Sequence, residues 1–232
     1  MQPDAIVLTT YLTQRLDPQR GTLWPPDDDT TVRTWIESAR RCGLRAIIFH
    51  DDLSPGFTGR WTSPTTRFER ISWQDDGWSA LEERVKIYRN WLQDNVVDWA
   101  LTTDLADVEF YSDPFQMMRD STRLYIGSEL NHIGNTCIAD WMRRAYGHVS
   151  FPNRIILNPG VLGGERAGLV YFLNLYLREL EVIMHRTQPP VDVAVFNRLI
   201  YREKIPFITG HPLHTHFKKH EGIESGAAIR HK

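Results

Sequence analysis

The chain has 232 residues, of which 41% are hydrophobic and 24% are charged, as in ordinary globular proteins rather than disordered or membrane-spanning ones. Its 27 basic and 29 acidic side chains give a formal net charge of −2, so the protein as a whole does not attract nucleic acid or anionic lipid. Binding of such partners would require a local basic patch. Two cysteines, Cys42 and Cys137, and an N-terminus without a signal pattern or a long apolar run predict a cytoplasmic protein with reduced thiols and no membrane span.

The first 50 residues predict a βαβ unit. Residues 5–10 form a β-branched apolar run typical of a buried parallel strand, and residues 44–50 repeat the pattern. Between them, residues 30–42 carry apolar side chains at helical spacing and stop at Gly43. Because such a crossover is right-handed, both strand ends are expected to face one crevice.

The rest of the chain continues the alternation of strands and helices. The predicted elements are an irregular loop at 54–79 around a short strand at 68–71, an amphipathic helix at 80–92, a strand at 99–103, a helix at 135–146, a strand at 154–157, a glycine-rich turn at 158–164 and a helix at 166–185. One α/β domain with a mostly parallel central sheet flanked by helices is therefore predicted over residues 1–220, followed by a disordered tail at 221–232.

Two carboxylates follow the predicted strand at 99–103. Asp104 and Asp107 lie three residues apart beyond its carboxyl end. Oxygen ligands at this spacing suit Mg²⁺ or Mn²⁺, which keep coordination positions for substrate phosphates. Acidic pairs after strands also cap helices or face solvent, so the pair by itself leaves both interpretations open.

Segment 103–108 resembles the D-x-D or D-x-x-D signature of GT-A glycosyltransferases, most of all its form in procollagen-lysine glycosyltransferases. The resemblance implies a Rossmann-like GT-A domain that binds a nucleotide-diphosphate sugar. It also implies that Asp104 and Asp107 hold a Mn²⁺ or Mg²⁺ cofactor that bridges the two phosphates of this donor.

Two later segments extend the resemblance. Residues 156–164 are similar to the L-N-x-G-x-x-x-G stretch at the junction of donor and acceptor sugars, where Asn158 can bond hydroxyls and Gly163 lets the backbone approach the donor. Residues 190–197 resemble the D-Q-x-x-x-N motif of glycogenin-like retaining transferases, in which Asp192 lies near the donor sugar. Without the resemblance, the first segment is an ordinary connection and Asp192 a helix cap. The match at 190–197 is incomplete, because Asn197 is present but Val193 stands where the glutamine would be.

Four histidines lie within ten residues near the end of the predicted domain. In GT-A transferases of these types a histidine at this point supplies the third protein ligand of the metal. The resemblance favours His216, which precedes Phe217, then His214, and then His211. Lys218 is the cation expected to balance the leaving diphosphate. A solvated histidine-rich loop is the alternative.

The first two predicted strand ends supply candidates for nucleotide contacts. Thr9, Thr10 and Tyr11 are expected at the base, Tyr11 by stacking, and Asp51 or Asp52 at the ribose or base. These residue types are also common turn formers at strand ends, so a structural role stays equally open.

Other candidates concern the phosphates and the acceptor. Arg84 and Lys86 contact the donor phosphates or else form the solvated face of their helix. Glu129 and Asp192 are the acceptor-side candidates, and Glu129 either orients or deprotonates the acceptor hydroxyl or has no part in the chemistry. Three tryptophans of the loop at 54–79 form either an acceptor platform or local core: Trp61, Trp73 and Trp78.

The sequence therefore predicts a metal-dependent glycosyltransferase, retaining like the families it resembles. Its acceptor is an unidentified hydroxyl of a small molecule, glycan, protein or modified nucleic acid. A nucleotidyltransferase of similar sheet architecture is the first alternative, but residues 9–13 lack the glycine-rich loop expected there. A noncatalytic nucleotide- or sugar-binding module is the second.

Overall fold

A computed structural model of the chain describes residues 4–73, 77–184 and 190–232. Strands and helices alternate along most of it. The strands are β1 (Ala5–Tyr11), β2 (Ala46–His50), β3 (Thr66–Arg70), β4 (Trp99–Thr103), β5 (Val108–Phe110), β6 (Leu124–His132), β7 (Ile155–Glu165), β8 (Phe207–Ile208) and β9 (Ile229–His231). The helices are α1 (Asp29–Arg41), α2 (Pro55–Trp61), α3 (Ala80–Asp94), α4 (Cys137–Tyr146), α5 (Arg166–Met184) and α6 (Asp192–Arg202).

Seven strands form one sheet in the order β3-β2-β1-β4-β7-β6-β8. Strands β3, β2, β1 and β4 are parallel to one another. Strand β7 runs antiparallel to both β4 and β6, and β8 is parallel to β6. A separate pair, β5 and β9, is antiparallel. The predicted α/β class with a mostly parallel central sheet flanked by helices is confirmed.

Both faces of the sheet are buried, since alternate strand residues point to opposite sides. On one face, Leu8 belongs to a core with Leu92 of α3 and Phe196 of α6. On the other, Val7 packs in a core with Trp35 of α1. These two cores fix the carboxyl ends of β1 and β4. Between these two strands the sheet order reverses, since β2 and β3 follow on one side of β1 and β4 lies on the other. Ligands of open α/β sheets bind in the crevice at such a switch point.

The predicted loop at 54–79 differs from the structure in its first half. Ser54 caps α2 by accepting a hydrogen bond from the Phe57 N–H at 3.1 Å, and Pro55 occupies the first turn. β3 then pairs in parallel with β2. The two glycines and the short length of α2 hide its helical pattern, while its cap and N-terminal proline are the signals that indicate it.

The glycine-rich turn predicted at 158–164 is wrong, because these residues are the interior of β7. Glycine usually marks turns, but inside a strand it also marks a close approach of other atoms. A Cβ added to Gly163 would lie 2.7 Å from Met118 Cε, and one added to Gly160 would lie 2.3 Å from Asp104 Oδ2. The glycines are therefore explained by crowding and not by a change of chain direction.

The disordered tail predicted at 221–232 is also corrected. Ile223–Ser225 forms a 3₁₀ turn, and β9 pairs with β5, so that Ile229 and His231 are completely buried. A three-residue strand paired with a distant segment has no periodicity to reveal it. β6 has no counterpart among the predicted elements.

Most other predicted bounds agree with the structure within two residues, including β1, α1, β2, α3, β4 and α4. The predicted end of the helix at 166–185, His185, lies outside the described residues. Within the described ranges, no helix combines the length and apolar character needed to cross a membrane.

Candidate functional site

A first cleft opens at the carboxyl ends of β1 and β4. The empty space it encloses, including the part open to solvent, is about 670 Å³. It lies between the end of β1, the segment after β4, the start of α3 and the loop that follows β1. The lining residues include Thr10, Tyr11, Asp17, Gln19, Arg20, Trp24, Leu81, Arg84, Asp104 and Asp107.

A second cleft, of about 660 Å³, continues from the first toward α4 and β7. The two share Gln19, Leu81, Arg84, Asp104 and Asp107. The second cleft is further lined by Glu129, Cys137, Ile138, Trp141, Ile156, Asn158, Asp192, Val193, Phe217 and Lys218. The predicted metal carboxylates thus lie at the junction of two clefts, and four other predicted site residues, Glu129, Asn158, Asp192 and Lys218, line the second.

Asp104 is fixed from two sides at this junction. Its backbone N–H donates to the carbonyl of Gly160 at 2.9 Å. Arg84 Nη1 donates to Oδ1 and forms a salt bridge with it. The other carboxylate oxygen, Oδ2, faces Gly160. One oxygen is therefore held by α3, and the second is directed at β7.

Arg84 also reaches Asp192 at the start of α6, where its Nη2 lies 3.3 Å from Oδ2. The Asp192 side chain is almost completely buried, and its Oδ1 has no hydrogen-bond partner among the described residues. Burial raises the pKa of Asp192, with a further contribution from Glu82, while Arg84 opposes the rise. Burial disfavours the charge of Arg84 as well, but Asp104 and Asp192 outweigh it and raise its pKa. The Arg84 guanidinium therefore bridges the carboxylates of Asp104 and Asp192.

His231 occupies a slot between β6 and β7 that two glycines leave open. A Cβ added to Gly127 would lie 3.3 Å from its Nδ1, and a Cβ added to Gly160 would lie 2.8 Å from its Nε2. The ring is completely buried beside Phe217, with centroids 4.6 Å apart. Neither ring nitrogen has a hydrogen-bond partner among the described residues. Burial lowers the pKa of His231 to about 4, so the imidazole is neutral at pH 7.

Asp107 stands on the other side of the junction. Its carboxylate lies 3.9 Å from Arg20 Nη2, and its carbonyl accepts a 2.7 Å hydrogen bond from the Lys232 N–H. Burial raises the pKa of Asp107, and the charge of Asp104 raises it further. A cation beside Asp107 would offset this rise and favour its ionised form.

Glu129 and Asn158 form the polar wall of the second cleft. Asn158 Nδ2 donates to Glu129 Oε1 at 3.3 Å, and Asn158 Oδ1 accepts from the Gly160 N–H at 2.8 Å. Burial raises the pKa of Glu129, although Lys218 partly offsets this. A carboxylate of raised pKa beside a cleft has the character of a general base.

The donor set at the junction fits a divalent cation, although among the described residues no three His, Cys, Asp or Glu side chains are already arranged to hold one. Asp104 Oδ2 and His231 Nε2 face the same point on Gly160, and the orphaned, buried nitrogens of a neutral imidazole are unexplained by any protein contact. Two carboxylates with one imidazole suit Mn²⁺ and also Mg²⁺. Asp104, Asp107 and His231 are the residues that could form such a centre.

The histidines favoured from the sequence have other contacts. His214 is buried, and its Nε2 accepts from the Gly210 N–H at 2.9 Å while its Nδ1 lies 2.8 Å from the Thr215 carbonyl. His216 Nδ1 lies 3.0 Å from Ser128 Oγ. His211 is exposed. Within the described residues, none of the three is among the side chains that line either cleft. As metal ligands they stay predictions, and His231 is the histidine that lies against Asp104.

The nucleotide candidates divide into two groups. Thr10 and Tyr11 line the first cleft, but the Tyr11 ring is only 2% exposed and packs against Phe57, which does not support the predicted stacking on a base. Thr9 is completely buried and its hydroxyl donates to the Thr103 carbonyl at 2.8 Å. Asp51 accepts hydrogen bonds from the backbone of the loop after β1, and Asp52 pairs with Arg70 at 3.2 Å. The structure thus shows structural contacts for Asp51 and Asp52, neither of which lines the two clefts, and their nucleotide contacts stay predictions.

Several other candidates contact neighbouring side chains away from the junction. Lys86 pairs with Glu83 at 3.1 Å and lies over the Trp78 ring at 3.6 Å. Arg15 lies 4.5 Å over Trp73, and the indole N–H of Trp61 donates to Asp29 at 2.6 Å. Gly163 is packed inside the sheet by Met118 and Leu101. These contacts favour local packing for the three tryptophans over an acceptor platform.

Asn197 has a positioning role that follows from its hydrogen bonds. Its side-chain amide accepts from the Leu157 N–H and donates to the Leu157 carbonyl, both at 2.8 Å. It therefore clamps α6 to β7 one residue before Asn158.

The sequence interpretation missed His231 and the aromatic side chains of the clefts. Trp24 lines the first cleft beneath the Arg20 guanidinium at 4.2 Å, and Trp141 and Phe217 line the second. Trp141 had a signal, because it follows Cys137 by four residues on one face of a predicted helix. His231 had none, since its position depends on the pairing of β9 with β5.

Comparison with known proteins adds no assignment: no protein-family model matches the chain, and no curated protein matches it.

Proposed function

We propose that the protein is a single-domain, metal-dependent glycosyltransferase of the GT-A type that transfers a sugar, with retention, from a nucleotide-diphosphate sugar to a hydroxyl acceptor. One observation carries the proposal. Two clefts meet at a pair of carboxylates, Asp104 and Asp107, beside a buried imidazole whose nitrogens have no partner among the described residues. The free thiols of Cys42 and Cys137 support a cytoplasmic location.

The nucleotide is assigned to the first cleft. Trp24 offers aromatic surface for a base, and Arg20 lies over its ring as a cation of the cleft wall. This cleft lies at the switch point of the sheet, where open α/β folds bind nucleotides. The sugar and its acceptor are assigned to the second cleft, where Asn158 and Asp192 offer hydrogen bonds to hydroxyls.

The diphosphate is assigned to the junction. Asp104, Asp107 and His231 would hold Mn²⁺ or Mg²⁺, which when bound supplies positive charge to a leaving diphosphate. Lys218 adds a second positive charge from the side of the second cleft. Arg84 holds Asp104 and Asp192 in register, so that donor phosphate and donor sugar face one continuous surface.

The transfer step balances with the groups at hand. The acceptor oxygen forms a bond to the anomeric carbon on the same face of the sugar from which the bond to the phosphate oxygen breaks, so the anomeric configuration is retained. The electron pair leaves with the nucleoside diphosphate, and the acceptor proton passes to the Glu129 carboxylate, whose pKa burial raises.

The test is incubation with a panel of nucleotide-sugars and Mn²⁺, with release of nucleoside diphosphate as the readout. Asp107→Ala should lower turnover by about 100-fold or more with an unchanged circular dichroism spectrum, because no neighbouring group replaces its carboxylate. Asp94→Ala, an exposed carboxylate at the end of α3, is the matched control. Wild-type turnover of Asp107→Ala in chelator-treated buffer with added Mn²⁺ would remove the metal assignment. Release of pyrophosphate from a nucleoside triphosphate and a sugar phosphate would instead identify a nucleotidyltransferase.

A further inference from the structure

Arg20 and Arg84 both line the first cleft beside the carboxylates of the junction, but they are held very differently. The Arg84 side chain is 12% exposed and bridges Asp104 and Asp192. The Arg20 side chain is 49% exposed, on the loop that follows β1. A buried cation between two carboxylates is fixed, because its departure would leave both carboxylates unpaired. A half-exposed cation can change its partner without that penalty.

A tight turn around Asp17 fixes the backbone of Arg20. The Asp17 side chain is buried, and its Oδ1 accepts hydrogen bonds from the Gln19 N–H at 2.9 Å and the Arg20 N–H at 3.2 Å. The Asp17 carbonyl accepts from the Gly21 N–H at 2.8 Å, and Gly21 has a φ of 68°, which favours glycine. The turn therefore presents Arg20 on the wall of the first cleft, which Asp17 and Gln19 also line.

The Arg20 guanidinium is oriented along one edge and one face. Its Nε lies 3.3 Å from Asp17 Oδ2, and its central carbon lies 4.2 Å from the centroid of the Trp24 ring. Its Nη2 lies 3.9 Å from Asp107 Oδ1, beyond hydrogen-bond distance. Among the described residues, neither terminal nitrogen of Arg20 donates a hydrogen bond. The planar fork that binds phosphate oxygens in pairs is therefore oriented and keeps its donors.

Asp107 is the carboxylate of the junction with the weaker partner. Within the described residues, its single salt bridge is the 3.9 Å contact with Arg20, and no hydrogen bond reaches its carboxylate oxygens. Its side chain is 36% exposed. A solvent-exposed ion pair of this kind contributes little to stability. Arg20 thus places positive charge beside Asp107 without binding it tightly.

We infer that Arg20 has two alternative partners, Asp107 and the diphosphate of the donor, and that its move to the diphosphate favours the metal at Asp107. A guanidinium and a divalent cation beside one carboxylate repel each other. A diphosphate offers the Arg20 fork charge-assisted hydrogen bonds, which are stronger than a 3.9 Å contact. This inference rests on the proposed function, which assigns the diphosphate and the metal to the junction. It adds that Arg20 makes nucleotide and metal bind cooperatively.

Removal of the Arg20 charge should therefore shift two equilibria in opposite directions. Arg20→Gln should bind Mn²⁺ alone about two- to five-fold more tightly, because the weak competing ion pair is lost. It should bind a nucleoside diphosphate in Mn²⁺ about ten-fold or more weakly, because charged hydrogen bonds to phosphate are lost. The factor by which Mn²⁺ raises nucleotide affinity should fall by about two- to five-fold. A residue that only supported its loop would weaken both ligands.

The test is isothermal titration calorimetry of the full chain with Mn²⁺ alone, with UDP or GDP in EDTA, and with the same nucleotide in Mn²⁺. Arg20→Lys keeps the charge but not the planar fork, so it should bind Mn²⁺ alone as the wild type does and recover only part of the nucleotide affinity. Arg33→Gln, which removes an exposed cation of α1 that lines neither cleft, is the matched control and should match the wild type. Thermal melting checks that each variant is folded.

Three results would overturn the inference. The first is an unchanged affinity of Arg20→Gln for Mn²⁺ alone, and the second is an unchanged affinity for UDP and GDP in Mn²⁺. The third is an equal loss of affinity for the nucleosides uridine and guanosine, which would assign Arg20 to the base. Opposite shifts for metal and nucleotide, with nucleoside binding unchanged, are the expected result.

The same measurements distinguish this inference from the proposed function. Nucleoside diphosphate release from a nucleotide-sugar, together with identical titrations of Arg20→Gln and the wild type, refutes the inference and leaves the proposed function standing. The opposite shifts without turnover of any nucleotide-sugar refute the transferase and leave the coupling of metal and nucleotide standing. Failure of the wild type to bind Mn²⁺, with or without nucleotide, refutes both.

Discussion

Substitution of Gly160 by alanine tests the arrangement at the junction of the clefts most directly. The added Cβ would lie 2.3 Å from Asp104 Oδ2 and 2.8 Å from His231 Nε2. To reach ordinary contact distance the carboxylate oxygen must retreat by about 1 Å, and the imidazole by somewhat less. The backbone of Gly160 is not among the positive-φ glycines, so alanine adds no conformational strain of its own. The perturbation is therefore confined to these two side chains.

We expect Gly160→Ala to lower turnover by about 100-fold, because a displacement of this size in a positioning group commonly has that effect. Overpacking should cost about 1–3 kcal/mol of unfolding free energy, or about 2–4 °C in melting temperature for each kcal/mol. Turnover is measured by nucleoside diphosphate release, Mn²⁺ binding by calorimetry, and stability by thermal melting.

Two other glycine-to-alanine variants serve as comparisons for Gly160→Ala. Gly168→Ala in α5 adds a Cβ with no atom within 4 Å and should leave turnover unchanged. Gly127→Ala presses on His231 Nδ1 at 3.3 Å and on the Asn158 carbonyl at 2.7 Å, but not on Asp104. If Gly160→Ala binds Mn²⁺ and turns over as the wild type does, the assignment of Asp104 and His231 to one centre is wrong.

Three further predictions follow from single side chains. His231→Ala should lower Mn²⁺ affinity by roughly ten-fold or more. His214→Ala should leave this affinity unchanged and instead lose about 1–3 kcal/mol of stability, because the Gly210 N–H loses its buried acceptor. Calorimetry with Mn²⁺ and thermal melting of both variants distinguish the two histidines. Arg84→Gln should destabilise the fold by about 3–5 kcal/mol, since it leaves Asp192 buried without its cation, and Arg84→Lys should recover part of this loss in denaturant unfolding. Burial raises the pKa of Glu129 in the folded protein above its unfolded value, so the free-energy penalty begins as the pH rises past the unfolded pKa and is complete above the folded pKa. Glu129→Gln should therefore match the wild type near pH 4 and become relatively more stable as the pH rises toward 7, and an equal difference at both pH values would contradict this.

Much of the sheet could be predicted from the sequence because the parallel strands are buried on both faces. The runs that became β1, β2 and β4 are apolar and β-branched, and each ends in polar residues at the edge where the clefts open. Asp104 and Asp107 were found by that rule together with the resemblance to GT-A enzymes. They lie at the junction of the clefts because they directly follow β4 in the chain, and this position can be read from the sequence.

The ligand-facing details depended on contacts between distant segments. Gly160 looks like a turn residue in the sequence, but in β7 it accommodates Asp104 from β4 and His231 from β9. His231 reaches that point only because β9 pairs with β5, while His214, which the resemblance ranked after His216, is held by the backbone around Gly210. Local patterns thus determined which strands form and where their polar ends lie. Only the tertiary structure decided which histidine meets the carboxylates, because that choice depends on long-range pairing that leaves no periodic signal in the chain.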